Sequence, residues 1–462
     1  MKKRGYDVSS FFCAFVLMLV EKKSNLVYNL YMLTLLEKVK KYKEVSLRFH
    51  TPSQSDEILD ELYSNSKYDV TELSFSDNLL YPKGVILDLE KELAKVYHTK
   101  RTLVITAGAT TGNFIGLNVL KNKGKVLVTP NCHKSIFSAC RVFNIDVKFM
   151  EDKYYPNGLP MPVTIEDIEK ELTDEIKSVV ITSPTYFGDT IKTSIVNELH
   201  ERGIYVMIDE AHGGHFVYSD LLPDSLSSVA DIVIDSVHKT LPVYTGGALI
   251  HINNKELIAE SELYHSLLHT SSPNYVTMCS IDYAQDLFSR EGKLLYKKLF
   301  DVVNGIKLDR FKVVKTDDFS RLVIDTYPYD GGDVQEKLEE EKVFIEMSYK
   351  HFLVLILSPL NIDNVRIAIE KINKVSVRKD LKIYIENQKP EEKKSNISGQ
   401  VELIELSKAE GKIAGSEVGI YPPGVPVLKT GDIVTKEQLE YLLKNKDKLF
   451  GLVDNKIFVI KE

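Results

Sequence analysis

Between residues 84 and 252, short β-branched runs alternate with helical stretches, and this alternation limits the fold more than any other feature. The runs are Leu103–Ile105, Val126–Thr129, Val147–Met150, Val179–Thr182, Tyr205–Ile208, Ile232–Asp235 and Ala248–Ile252. Ahead of them Ile86, Leu89, Leu93, Val96 and Tyr97 recur at three- and four-residue spacing, the mark of an amphipathic helix. Several runs are apolar on both faces, as strands of a doubly covered sheet must be. The expected class is α/β, with a mainly parallel central sheet. Thr164 with Asp167 resembles a capping box opening a helix over 165–172.

Past residue 290 the pattern changes. Leu322–Asp325, Val343–Met347 and Leu353–Leu357 alternate with helical segments at 334–341 and 363–373, which predicts a smaller α+β C-terminal domain. Residues 387–398 (NQKPEEKKSNIS) lack apolar periodicity and read as an exposed linker. Beyond it, 401–417 and 436–446 read as helices around YPPGVPVLKTGD. The expected organisation is an N-terminal helical segment at 1–45, a large α/β domain at 46–300 and a C-terminal α+β domain at 301–462. The apolar run Phe11–Val20 is too short to span a bilayer, and Glu21-Lys22-Lys23 follows it without a small-residue cleavage site, so no membrane is expected. With Lys+Arg 59 against Asp+Glu 66, no basic excess is left for nucleic acid. Cys13, Cys132, Cys140 and Cys279 form no C-x-x-C pair, which favours a reducing, cytoplasmic setting.

Four local patterns carry chemistry. In DIVIDSVHKTLPVYTGGALI a strand ends at Asp235, and Ser236, His238 and Lys239 follow in a short polar turn. A lysine just past a buried strand is desolvated, which lowers its pKa toward a nucleophilic amine. In YVMIDEAHGGHF, Asp209 stands at the carboxyl end of a β-rich run, where open α/β sheets place their ligands. DEAH also names a helicase box, but no G-x-x-x-x-G-K-[ST] loop accompanies it, since Gly124-Lys125 is followed by valine. His212 and His215 straddle two glycines without a further ligand signal, so no metal is expected. In VITAGATTGNFIGL a strand runs through Gly108-Ala109-Thr110-Thr111-Gly112 into a helix, where backbone N–H groups and the helix dipole suit an anion. In NCHKSIFSA, His133 opens a helix as a cap or as a flat ring for stacking. An anion cradle, a strand-end aspartate, a strand-end lysine and a flat histidine together are what pyridoxal 5′-phosphate (PLP) requires. Lys239 would bond its aldehyde and Asp209 would keep its pyridine nitrogen protonated. A charge pair about 3 Å apart, at an effective dielectric of about 20, is worth roughly 5 kcal/mol.

On these motifs the chain resembles the bacterial ornithine/lysine/arginine decarboxylase family of fold-type I PLP enzymes. The matching stretches are DVTEL with YPKG, TAGATTGN, NCHKS, SPTYFGD, IDEAHGGHF, SVHKTLP, HTSSPNY and YPPGVP, in consistent order. The resemblance implies Lys239 as the cofactor lysine and Asp209 as the pyridine-nitrogen partner. It implies His133 on one ring face, with Ala211 on the other and His212 beside it. Phosphate would be held by Ala109, Thr110, Ser236 and His238. Thr270-Ser271-Ser272 would reach a neighbouring subunit's phosphate, implying a homodimer or higher assembly. Two departures stand out. His50-Thr51-Pro52-Ser53-Gln54-Ser55-Asp56 replaces the family's H-x-P-G-H-x-x-G, which loosens the transfer of substrate identity. Ala109 replaces a phosphate-binding serine, which suggests weaker cofactor retention. The chain resembles the shorter biosynthetic type, without a receiver-like leading domain.

The implied reaction is α-decarboxylation of a small-molecule substrate, a basic amino acid (arginine, lysine or ornithine), to CO₂ and a polyamine-pathway amine. Lys239 or His133 would return the proton to Cα. Transamination would want an arginine clamp; Arg321 and Arg366 are the candidates, and neither pattern marks a clear one. Aldol cleavage is a further alternative. An inactive PLP-binding regulatory paralogue is another, motivated by the altered leading motif and opposed by the retention of Lys239, Asp209 and His133. The substrate's distal cation needs an acidic or carbonyl-rich pocket. Glu417 and Asp432, flanking YPPGVP, are the nearest acids to a matching motif, and both read rather as solvated loop carboxylates than as substrate ligands.

Overall fold

Runs of valine and isoleucine become strands here because helices cover them on both sides. The computed structural model describes residues 47–49, 77–272, 274–384, 399–420, 425–446 and 449–461. The chain divides into the units Met1–Leu47 and Arg48–Glu462. The helical segment expected at 1–45 and the linker expected at 387–398 lie outside the described residues, as do the altered motif at His50–Asp56 and residues 421–424.

After the short strand Leu47–Phe49, the described elements from residue 77 onward are helix α1 (Val85–Val96), then β1 (Arg101–Ile105), α2 (Ala109–Lys121), β2 (Lys125–Val128), α3 (Lys134–Val142) and β3 (Val147–Phe149). There follow α4 (Ile165–Glu171), β4 (Ile176–Thr182), α5 (Thr193–Glu201), β5 (Tyr205–Asp209), β6 (Ile232–Asp235), β7 (Ala248–Ile252) and α6 (Lys255–Leu268). Among the described residues the seven strands form one sheet in the order β1-β7-β6-β5-β4-β2-β3. Side chains alternate between its faces. Val126 and Val128 pack under α2, α3 and α6 with Ile115, Leu120, Ile136 and Leu257. Leu127 faces the opposite way, toward Ile168, Ile195 and Leu199 of α4 and α5. Helix α2 approaches closely because Gly112 and Gly116 lack side chains. A Cβ at either position would lie 2.8 Å from Ile234 Cγ2 or Met207 Sδ, respectively.

The sheet is mixed, not wholly parallel: β7 runs antiparallel to both β1 and β6. A parallel return needs a crossover of a dozen or more residues, usually a helix. Residues 236–247 hold only the one-turn 3₁₀ helix Val237–Lys239, so β7 returns in the opposite sense.

The long helix α7 (Tyr275–Asn304) leads to β8 (Lys312–Val314), β9 (Arg321–Asp325), α8 (Gly331–Glu340), β10 (Met347–Tyr349), β11 (Phe352–Ile356) and α9 (Ile362–Ser376). Their strands form an antiparallel sheet ordered β10-β11-β9-β8. The run read as one strand at Val343–Met347 is split at Glu346, between Val343–Ile345 and β10. The last region holds β12 (Val401–Glu405), β13 (Val418–Ile420), β14 (Val425–Leu428), α10 (Lys436–Lys444), β15 (Leu449–Phe450) and β16 (Lys456–Ile460). The helix expected over 401–417 is not formed. Val401–Glu405 pairs antiparallel with Lys456–Ile460 instead, and Gly411, at φ +74°, breaks any continuing helix. A partner some fifty residues away outweighs local propensity, as strand pairing often does. No helix among the described residues is long and apolar enough to cross a membrane.

Candidate functional site

Parallel strands bring distant residues to one edge. Thr182 pairs with Asp209 and Asp209 with Ile234, so β4, β5 and β6 end together. The turns beyond them carry Tyr186, the Asp209–His212 segment and Lys239. The turns after β1 and β2 add the start of α2 and His133. This is the carboxyl edge, where α/β sheets offer space for ligands.

Lys239 Nζ lies 3.0 Å from His212 Nε2. Burial pushes the lysine below the usual amine range; Asp209 opposes this, Arg321 adds to it and Glu346 opposes it. Burial likewise holds the His212 imidazole well below its ordinary value, with Lys239 and Arg321 adding to the effect. The Tyr186 ring packs 4.8 Å from the His212 ring, centroid to centroid. Asp209 is buried and fully engaged. Its Oδ2 accepts from Asn113 Nδ2 at 2.9 Å, and its Oδ1 accepts from the Ala211 N–H at 3.2 Å. Asn113 Nδ2 also donates to Ser135 Oγ at 2.9 Å, and Ser135 Oγ lies 2.8 Å from His133 Nδ1. With its oxygen accepting from Asn113, the Ser135 hydroxyl donates to His133 Nδ1, which also accepts from the Ser135 N–H as the cap of α3. His133 is thus neutral with its proton on Nε2. Its pKa falls to about 4, through burial first, with Asp209 opposing and Lys239 and Lys134 adding.

Helix α2 begins at Ala109 and Thr110 behind Gly108, whose φ of +81° suits glycine. A Cβ built at Gly108 would meet no atom within 4 Å, so this helix start faces open space. The Ser236 hydroxyl lies 3.2 Å from His238 Nδ1, which donates to the Gly247 carbonyl at 2.9 Å. Thr270, Ser271 and Ser272 are exposed; the Thr270 hydroxyl accepts from the Ser272 N–H. The segment touches its own chain's cradle through His269, whose Nε2 accepts from the Thr106 N–H at 2.9 Å. Lys239, Asp209, His133, His212 and Ala211 therefore share one locus. His215 does not belong to it: it turns to Ser320 and Asp318, so Asp209, His212 and His215 do not converge as metal ligands.

A cavity of about 320 Å³ opens beside His133, with Asn131, Asp152, Tyr186, Glu417 and Lys429 in its wall. The half-buried Glu417 carboxyl is pushed up by burial, with Lys134 and Lys429 opposing. Asp432 serves a turn instead, accepting from the Lys429 N–H at 2.7 Å. Arg366 lies at the surface against Asp363. Arg321 is buried, its Nη2 against His212 Nδ1.

Sequence reasoning missed Asn113, Tyr186 and Glu346, and left Arg321 without a partner. Asn113 carried a signal: it is a lone amide on the face of α2 that otherwise buries Gly112, Ile115, Gly116 and Leu120. Arg321 and Glu346 carried none, because their contacts cross between two sheets.

Over residues 62–327 the chain matches the family described as Orn/Lys/Arg decarboxylase, major domain, and over 373–449 the corresponding C-terminal domain. An uncharacterized Bacillus subtilis protein, YaaO, is 29% identical over 412 residues, covering 81% of this chain and 84% of its own length. An arginine decarboxylase of the same organism is 27% identical over 413 residues, covering 80% and 83%. Among solved structures, Escherichia coli constitutive lysine decarboxylase shares the fold with a TM-score of 0.69 at 16% identity, over 96% of this chain and 84% of that one. Lysine decarboxylase A from Pseudomonas aeruginosa gives 0.67 at 14% identity, over 92% and 79%.

Burial of three histidines also contributes an acid-sensitive share of stability. His133, His251 and His265 are pushed down to about 4, 3 and 4, in each case by burial first. They stay neutral in the fold, whereas histidine in an unfolded chain titrates near ~6.5. The unfolded chain therefore takes up protons that the fold refuses. This stability is complete above about pH 6.5 and is lost as pH falls toward about 4. Buried acids act in the opposite sense over the same range, since Glu90 is pushed up to about 7 and Asp189 to about 6 by burial. The check is therefore ring by ring. NMR titration is expected to show these three imidazoles still neutral at about pH 5, and a ring that titrates near about pH 6.5 in the fold would remove its contribution.

Proposed function

Because the chain belongs to the Orn/Lys/Arg decarboxylase family, we propose that it decarboxylates a basic amino acid, arginine ahead of lysine or ornithine, to CO₂ and a polyamine-pathway amine. As a family member it is a PLP-dependent amino-acid decarboxylase; the substrate and the residue roles are our reading. One observation carries that reading. Lys239 with His212, and Asp209 with Asn113, Ser135 and His133, meet at one sheet edge beside a cavity holding an acidic side chain. The Bacillus subtilis relative named an arginine decarboxylase supports arginine first.

The residues present fit the cofactor. The open space before α2 suits a phosphate on the Ala109 and Thr110 N–H groups, with Ser236 and His238 alongside. Lys239 supplies the amine that bonds the aldehyde. Asp209, held by two N–H donors, would take the pyridine nitrogen and keep it protonated. The neutral His133 ring would stack on the cofactor, with Ala211 backing it from the other side. PLP, when bound, supplies the electron sink for the pair left on Cα as CO₂ departs. Lys239 or His133 then delivers the proton that Cα needs. Tyr186, packed on the His212 ring, lines the cavity beside that position.

Glu417 receives the distal cation of the substrate. Its carboxyl lines the cavity and is partly desolvated, which strengthens a charge-assisted hydrogen bond. Glu417→Gln is expected to raise KM for the preferred amino acid by roughly tenfold to a hundredfold, with kcat changed less, matching about 1.5–3 kcal/mol for such a bond. Steady-state CO₂ release measures this, and an unchanged KM would remove Glu417 from the substrate pocket.

The exposed Thr270–Ser272 segment is read as reaching a second subunit's phosphate site in a homodimer. Sedimentation equilibrium is expected to give at least twice the chain mass, and a monomer at working concentration would end that part of the reading. Cytoplasmic location is supported by Cys132, Cys140 and Cys279, none of which forms a disulfide among the described residues, and cell fractionation checks it.

The direct test is to incubate the purified protein and PLP with arginine, lysine and ornithine, and to assay CO₂ and amines. CO₂ from one of them is expected; amine transfer, aldol products or no turnover would each replace this reading with the corresponding alternative. Lys239→Ala is expected to lose the visible absorbance of the bound cofactor. A persistent band would assign the aldehyde to another lysine.

A further inference from the structure

His212 stands between two nitrogen groups, and proton counting decides what it does there. Its Nδ1 meets Nη2 of Arg321, and its Nε2 lies 3.0 Å from Lys239 Nζ. A guanidinium has N–H donors on every nitrogen, no acceptor, and keeps its charge inside proteins. Nδ1 must therefore present a lone pair. The one proton of the neutral ring is then on Nε2, pointing at Lys239. That contact is a hydrogen bond only if Nζ offers a lone pair, so Lys239 must be an amine and not an ammonium.

Arg321 is built into this place. It is 2% exposed at the start of β9, with the Asp318 carboxylate 3.9 Å from its Nε. The same Nη2 lies 3.5 Å from the His212 carbonyl oxygen. Gly188, in the turn after β4, makes room for it: a Cβ there would come 2.9 Å from Arg321 Cβ, at a φ of +95°. The other charges around Lys239 act in both directions. Asp209 on β5 and Glu346, between Val343–Ile345 and β10, favour the ammonium, while Arg321 opposes it. His133 and His238 act on His212 itself, and Tyr186 packs on its ring. Two carboxylates would thus hold a proton on Lys239 if His212 offered an acceptor in that direction.

We propose that Arg321 is a positioning residue: it fixes the His212 proton on Nε2, and His212 in turn holds Lys239 as a free amine at the moments when it bonds the aldehyde carbon, in the cofactor-free protein and after the proton has gone to Cα. Capturing the cofactor joins Nζ to its aldehyde carbon with loss of water. Recovering it from product joins Nζ to the same carbon and releases the product amine. Both steps spend the Nζ lone pair that the relay preserves. The inference rests on the reading of Lys239 as the cofactor lysine.

The test uses the full-length protein stripped of cofactor and pulsed with acetic anhydride across a pH series. Lys239 acetylation is read by peptide mass spectrometry against the exposed Lys91. In the wild type the Lys239 profile is expected at lower pH than that of Lys91. Arg321→Met frees Nδ1 to take the proton, and should shift the profile upward by about one pH unit, a roughly tenfold loss of labelling near neutral pH. Arg321→Lys keeps an N–H donor and should stay within about threefold of wild type at the same pH. Superimposed wild-type and Arg321→Met profiles would overturn the proposal. Should Arg321→Met fail to fold by circular dichroism, the wild type answers alone. With ¹⁵N-labelled histidine, and His212 assigned through His212→Gln, the proton is expected on Nε2; finding it on Nδ1, or on both nitrogens, overturns the relay. Neither readout uses activity. The Lys239→Ala absorbance test decides separately whether that lysine holds the cofactor, so the two failures are distinguishable.

Discussion

The parallel register across β4, β5 and β6 is the constraint from which the rest follows. Thr182, Asp209 and Ile234 stand side by side, so the chain leaves the sheet three times at one edge. An aspartate at the end of one strand and a lysine four residues past the next then share a neighbourhood without any long-range signal in their own segments. A one-residue slip in β6 would turn its alternating side chains to the opposite face and misplace Lys239.

Many buried polar groups at this edge are tied into one hydrogen-bonded chain, while Asn113 Oδ1, Thr182 Oγ1 and Asp235 Oδ1 accept no bond. The amide of Asn113 serves both Ser135 and Asp209, and Ser135 passes the hydrogen-bond polarity on to His133. The loop that carries His212 is anchored from beneath. Glu210 accepts from the Leu226 N–H at 2.8 Å and the Ser225 hydroxyl at 2.6 Å, and the Tyr97 hydroxyl donates to the Gly214 carbonyl at 2.7 Å. Leaving any of these groups unpaired would cost about 1–3 kcal/mol. The same burial keeps the imidazoles neutral, which lets a histidine serve as a flat ring or as a proton relay near neutral pH.

Three sheets contribute to the locus, and they differ in how readable they were. The first sheet's contribution was legible: Lys239, Asp209, His133, Ala109 and Thr110 all sit in short motifs at strand ends or helix starts. Asn113 was half legible, as a lone amide on an apolar helix face. Arg321 opens β9, inside the second sheet, and Glu346 precedes its edge strand β10, where the sequence marks only strands. Glu417 and Asp432 looked alike as acids flanking one motif, yet one lines the cavity and the other holds a turn.

Local patterns by themselves determined the α/β class, most strand positions, the strand-end lysine and aspartate, and the glycine-led helix start, because each depends on residues within a few positions of one another. Tertiary structure alone decided the reversed direction of β7, the strand at 401–405 where local propensity favoured helix, and the meeting of Arg321 with His212. Those outcomes depend on which distant segments pair and which side chains face each other across a gap, and that energy belongs to the assembled packing and to no single stretch of chain.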